Sequence, residues 1–98
     1  MSLQLSKRRE CGGIWVVDVD LGRSPTAEEL TTLAQRYGGR CRRFQQLVWL
    51  DLPSGRITAS LRLSRLTIRL RDKTLEAAII AELQQLVERS VPADAVDL

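Results

Sequence analysis

The chain has 98 residues, of which 44% are hydrophobic and 28% are charged. That length predicts a single domain over 1–98, because a second hydrophobic core needs more chain, and the composition is too apolar for a disordered protein. No apolar run approaches the ~20 residues that span a bilayer, and the first residues lack the apolar stretch of a signal peptide. We therefore expect a cytoplasmic protein without membrane contact.

The residue types exclude several classes of enzyme. The sequence contains no histidine, which removes the commonest general base and the Ser-His and Cys-His nucleophile pairs. Cys11 and Cys41 are too far apart for the paired thiols of a zinc site, and a reducing compartment makes a disulfide between them unnecessary. The sequence therefore predicts a non-catalytic protein with no metal and no cofactor.

Charge is distributed unevenly along the chain. The formal net charge is +3, but residues 1–71 hold 13 basic and 6 acidic side chains, whereas residues 72–98 hold 2 and 6. The two parts therefore carry net charges of +7 and −4. We expect an acidic C-terminal element packed on a basic body.

The first predicted element is a strand over 14–21, because this β-branched segment is flanked by glycines. Residues 3–10 alternate weakly between apolar and polar side chains. Residues 1–10 are predicted to form an edge strand, in a hairpin across 11–13, or to derive in part from an expression vector.

A helix is predicted over about 25–37. Ser24 and Pro25 suit a helix start, and Thr26 with Glu29 forms an alternative capping box. Apolar residues then recur at helical spacing, and Gly38-Gly39 supplies the left-handed residue that ends a helix.

The segment 40–52 is predicted to be extended and to lead into a turn at 53–55. A loop of three residues there would place Asp51 opposite Ile57, and a loop of four residues would place Leu52 opposite Ile57, so the core face of 47–52 is left open. The next strand alternates from Ile57 to Leu63, and its phase slips at Ser64-Arg65, which predicts either a β-bulge or a tight turn before 66–71.

A last helix is predicted from about Asp72 or Lys73 to Ser90. Its apolar stripe consists of Leu75, Ala78, Ile79, Leu83, Leu86 and Val87. Glu76 lies outside that stripe, Pro92 is expected to end the helix, and 92–98 is expected to be a flexible tail.

These elements predict an α+β domain in two layers. A mostly antiparallel sheet of three to five strands would carry two helices on one face, in the order β-α-β-β-(β)-α, with an extra N-terminal strand as an option.

The first functional hypothesis is a small binding or assembly module that forms a homodimer. The strand over 47–52 is apolar on both sides, and two helices cover only one face of a sheet, so the other face needs a partner unless local loops bury it. The interface candidates are Ile14, Val16, Leu47 and Trp49.

The alternative hypothesis is weak, sequence-independent binding of nucleic acid by arginines on the polar side of the strands. The candidates are Arg40, Arg42, Arg43, Arg56, Arg62, Arg69 and Arg71. Few aromatic residues accompany them, which argues against base stacking. Asp18 and Asp20 share one side of a strand, and we expect them to pair with arginines across the sheet and not to bind a cation.

Overall fold

The computed structural model describes residues 3–9 and 15–96, with side chains up to Glu88. It contains six strands and two helices. In chain order these are β1 (Gln4–Arg9), β2 (Trp15–Asp20), α1 (Ala27–Arg36), β3 (Arg40–Phe44), β4 (Leu47–Leu52), β5 (Gly55–Ser60), β6 (Arg65–Leu70) and α2 (Lys73–Val96).

All six strands form one antiparallel sheet in the order β1-β2-β6-β5-β4-β3. The predicted α+β class with two helices is confirmed, but the predicted number of three to five strands is wrong. β1 forms the N-terminal hairpin partner of β2, and the segment 40–52 is two strands and not one. The turn between β3 and β4 contains neither glycine nor proline. Gln45 itself adopts the positive φ of 55° there.

The hairpin of β4 and β5 has a shorter loop than either predicted register. Leu52 pairs with Gly55 and Leu50 with Ile57, so the loop is Pro53-Ser54 alone. The core face of β4 is nevertheless the one that the four-residue loop predicted. Its even-numbered side chains, Val48, Leu50 and Leu52, are buried and face the helices. The phase slip arises from a turn over 61–64 and not from a bulge, since β5 ends at Ser60, before the predicted Leu63, and β6 begins at Arg65.

Helix α1 begins through the alternative capping box. The Thr26 side chain accepts a hydrogen bond from the Glu29 amide, and the Glu29 carboxylate accepts one from the Thr26 amide. The helix therefore starts two residues later than predicted, at Ala27. Gly38, with φ of 72°, follows its end as the pattern indicated.

Helix α2 differs from the prediction at both its end and its buried side. It continues to Val96, beyond the predicted end at Ser90, so Pro92 lies within the helix and does not end it, although an interior proline removes one backbone donor and disfavours the helix. Glu76, predicted to lie outside the apolar stripe, is only 5% exposed, whereas Ala78 is exposed. The buried stripe therefore runs through Glu76, Ile79 and Leu83.

The core lies between both helices and one face of the sheet. Its fully buried side chains include Leu30 and Leu33 from α1 and Ile79 and Leu83 from α2, packed with aliphatic residues of β2, β4, β5 and β6. Tyr37 joins the two helices, because its hydroxyl donates to Glu82 over 3.0 Å. The opposite face of the sheet has no helix over it among the described residues. Neither helix has, in the described ranges, an apolar stretch that could cross a lipid bilayer.

Candidate functional site

The sheet face opposite the helices, here called the outer face, carries a row of charged side chains. Arg40 pairs with Asp51, Asp51 with Arg56, and Arg56 with Arg69, so these four residues lie directly across four neighbouring strands. Adjacent strands are about 4.8 Å apart, and the row therefore extends over roughly 14 Å. We call this set the arginine row; Arg71, just after β6, lies at its end.

Asp51 is the single carboxylate within the arginine row. It accepts hydrogen bonds from Nε of Arg42 and, over 2.9 Å, from Nε of Arg56. The bond from Arg42 is the main reason that the pKa of Asp51 is lowered from its ordinary value, and Arg56 adds to that effect. The carboxylate is thus ionised at neutral pH and neutralises part of the positive charge of the row.

An apolar corner adjoins the arginine row on β3 and β4 and consists of Phe44, Leu47 and Trp49. Phe44 pairs with Leu47 across the hairpin, and these side chains are 62% and 44% exposed. Trp49 is half-buried, and the guanidinium of Arg42 lies 5.7 Å from the centroid of its ring, within the range of a cation–π contact. Large apolar groups and arginines are therefore neighbours on the outer face.

A broad, open cavity of about 1020 Å³ lies along the Asp51, Arg56 and Arg69 part of the arginine row. Its lining includes Trp49 and Thr58 as well as charged side chains; the charged members are Arg8, Arg9, Asp51, Arg56, Arg69 and Arg71. Because the guanidinium groups outnumber the carboxylate, this concave surface suits an anionic ligand, and its shallow form suits an extended one.

The part of the outer face on β1 and β2 is more nearly neutral. Asp18 accepts hydrogen bonds from Arg8 and from the Thr67 hydroxyl, each over 2.8 Å, which confirms its predicted pairing with an arginine. The bond from Arg8 is the main reason that the pKa of Asp18 is lowered. Asp20 instead accepts from the Gly22 amide. Within the described ranges, no three Cys, Asp or Glu side chains group as metal ligands would.

The predicted nucleic-acid candidates divide into two groups. Arg40, Arg42, Arg56 and Arg69 lie on the outer face, with Arg71 at its end. Arg43 is on the helix side of the edge strand β3, where its Nε donates to the Gln45 carbonyl, and Arg62 is in the turn between β5 and β6.

The predicted dimer candidates do not form one exposed patch. Leu47 and Trp49 lie on the outer face, which decides between the two faces of 47–52 that the sequence left open. Val16 lies there too but is 0% exposed, because Arg8 stands opposite it on β1 and Arg69 is the next residue beside it on β6. Ile14, like Cys11, lies outside the described residues. Cys41 is exposed on the helix side of β3.

Sequence reasoning missed Asp51 and Phe44 as members of this surface. The signal was the spacing of two residues that links Arg42 to Phe44 and Trp49 to Asp51, since alternate residues of a strand share a face. That signal becomes useful only once the β3–β4 turn is placed at Gln45-Gln46, and those residues have no turn-forming character.

Fold and surface together define an α+β domain whose arginine-rich sheet face carries no helix among the described residues. A comparison of this chain with protein-family models, with curated proteins and with solved structures gave no match.

Proposed function

We propose that the protein is a non-catalytic module that binds nucleic acid by holding phosphate groups on the outer face. The observation that carries this proposal is the arginine row, in which Arg40, Arg56 and Arg69 share one line across the sheet with a single carboxylate, Asp51. Guanidinium groups match phosphate oxygens in charge and in hydrogen-bond geometry. A surface with several of them in line favours a ligand with several phosphates.

The position of the acidic helix supports the same function. Helix α2 packs through Ile79 and Leu83 on the core face, so Glu82 and Glu88 belong to the layer on the other side of the sheet. The negative charge of these two side chains therefore lies away from the outer face. Affinity should fall with added salt, because binding releases the counterions of each contacted phosphate, and it should differ little between sequences.

The first test compares two double substitutions that remove equal charge. Arg56→Ala with Arg71→Ala removes two outer-face guanidiniums, and Arg43→Ala with Arg62→Ala removes two that lie elsewhere. We expect the first pair to lower affinity for a single-stranded oligonucleotide on the order of tenfold at ~0.1 M salt and to reduce the salt slope by about 1.4. Fluorescence anisotropy across a salt series measures both quantities.

The control pair should retain most of the affinity, with a smaller loss from net charge alone. Equal losses from the two pairs would mean that only the overall charge of the domain attracts the ligand, and the outer face would then have no special role.

A homodimer through the apolar corner is the second candidate function. The specific observation in its favour is the exposed cross-strand pair of Phe44 and Leu47, beside Trp49. Light scattering at micromolar concentration should then give the mass of two chains, and Trp49→Arg should give one folded chain, because a buried guanidinium in an apolar contact is unfavourable. A mass of one chain at every concentration would remove this candidate.

A further inference from the structure

The apolar corner contains two aromatic rings on one side of a hairpin. Phe44 on β3 is opposite Leu47, and Trp49 is two residues beyond Leu47 on β4, so Phe44 and Trp49 are diagonal neighbours on the outer face. Such positions are about 7–8 Å apart, which is within reach of aromatic side chains. The two rings therefore form a small platform that ends beside the arginine row.

The platform lies next to the groups that would hold phosphates. Trp49 and Asp51 are two residues apart on β4, hence roughly 7 Å along the strand, and Arg56 stands opposite Asp51. Arg42 contacts both the Trp49 ring and the Asp51 carboxylate. A ligand that places a flat ring on Trp49 would thus present its attached phosphate to these arginines.

We infer that Trp49 and Phe44 stack on the bases of a single-stranded nucleic acid whose phosphates lie on the arginine row. This inference rests on the proposed function and adds the class of ligand. Every base has a planar face that can stack on an aromatic side chain, but in a duplex those faces are covered by neighbouring bases. The outer face therefore selects single strands over double strands.

A second copy of the chain is the less favourable occupant of the platform. A two-fold dimer would bring the same patch of each protomer together, and the patch includes Arg40, Arg42 and Arg56 around the rings. Like charges facing one another oppose that contact, whereas a polyanion is complementary to them.

The experiment uses the full chain and a matched pair of tryptophans. Trp49 lies 5.7 Å from the guanidinium of Arg42, and Trp15 lies 5.8 Å from that of Arg9 on the helix side of the sheet. Trp49→Leu and Trp15→Leu each remove an indole ring that lies beside an arginine, from opposite faces of the sheet. Ligands are oligothymidine of about 12 nucleotides, oligouridine and a duplex of that length, and inorganic polyphosphate, which has no bases.

We expect Trp49→Leu to weaken binding of both single strands by about tenfold to a hundredfold and to leave polyphosphate binding unchanged. Trp15→Leu should change neither. In a Trp15→Phe background, the fluorescence of Trp49 should be quenched by the single strands and less by the duplex. A preference between oligouridine and oligothymidine would show which nucleic acid is bound.

Four results would overturn the inference. If Trp49→Leu binds the oligonucleotides as the native chain does, or if duplex and single strand bind equally, the rings do not stack, although the phosphate function stands. If polyphosphate and nucleic acid both fail to bind, the proposed function itself is wrong. A dimer that Trp49→Leu dissociates, in a chain that binds no nucleic acid, would assign the platform to protein contact.

Discussion

A chain that ends at Asp72, and so lacks α2, is expected to show no cooperative thermal unfolding. Ile79, Leu83 and Val87 are almost completely buried against the sheet and α1. Each contributes about 1.5–3 kcal/mol, so together they approach the ~5–15 kcal/mol by which a whole domain is stable. Removal of α2 would also expose the side chains of the sheet on which it packs. Circular dichroism during heating measures the loss.

Two single substitutions sharpen this test without shortening the chain. Leu83→Asp places a charge in the core and should also abolish the sharp transition, because a buried carboxylate without a partner is strongly unfavourable. Ala81→Asp adds the same charge at an exposed position of α2 and should melt close to the native temperature. A shortened chain that still melted sharply would show that the sheet and α1 form a sufficient core by themselves.

Replacement of Asp51 is expected to raise the affinity for nucleic acid, which is unusual for a substitution within a binding surface. In the native chain its carboxylate holds Arg42 and Arg56, and a phosphate must compete with it for both. Asp51→Asn keeps the shape of the side chain but removes the charge. We expect affinity for an oligonucleotide to rise on the order of tenfold at ~0.1 M salt, with a salt slope steeper by up to about 1.4.

The control for Asp51→Asn is Glu28→Gln, which removes one negative charge from an exposed position on α1. Both variants have the same net charge, so their difference isolates the release of the two arginines. Exposed ion pairs contribute little to folding, and both variants should unfold near the native temperature. If Asp51→Asn bound no more tightly than Glu28→Gln, the carboxylate would not be a competitor of the ligand.

The elements with strong local signals could be predicted from the sequence. Three such signals are the β-branched run of β2, the capping box at Thr26 and Glu29, and the aliphatic stripe of α2. Each follows from the local backbone conformation or from the burial of one side of the element. The turn at Gln45-Gln46 carried no such signal, because a residue without turn preference adopts the left-handed conformation there. The buried position of Glu76 contradicts its polarity, although its helical spacing from Ile79 and Leu83 places it on the buried side of α2.

The candidate site was harder to predict because it depends on strand order. Arg40, Asp51, Arg56 and Arg69 come from four strands, and their common line follows from three hairpin registers together. An error of one residue in any register moves a side chain to the opposite face. The alternation of single strands identified Arg56 and Arg69 as polar-side residues but wrongly included Arg62, which lies in a turn. It could not place Phe44 and Trp49 beside the arginines.

The two edges of the sheet have a consequence for the behaviour of the protein at high concentration. Strand β1 ends in Lys7, Arg8 and Arg9, and strand β3 contains Arg40, Arg42 and Arg43. Unpaired edge strands can recruit further chains into continuous sheets, and charged side chains are a common protection against that growth. Two molecules that approached edge to edge would bring cationic strands together, and the repulsion between them opposes the growth of the sheet into a fibre.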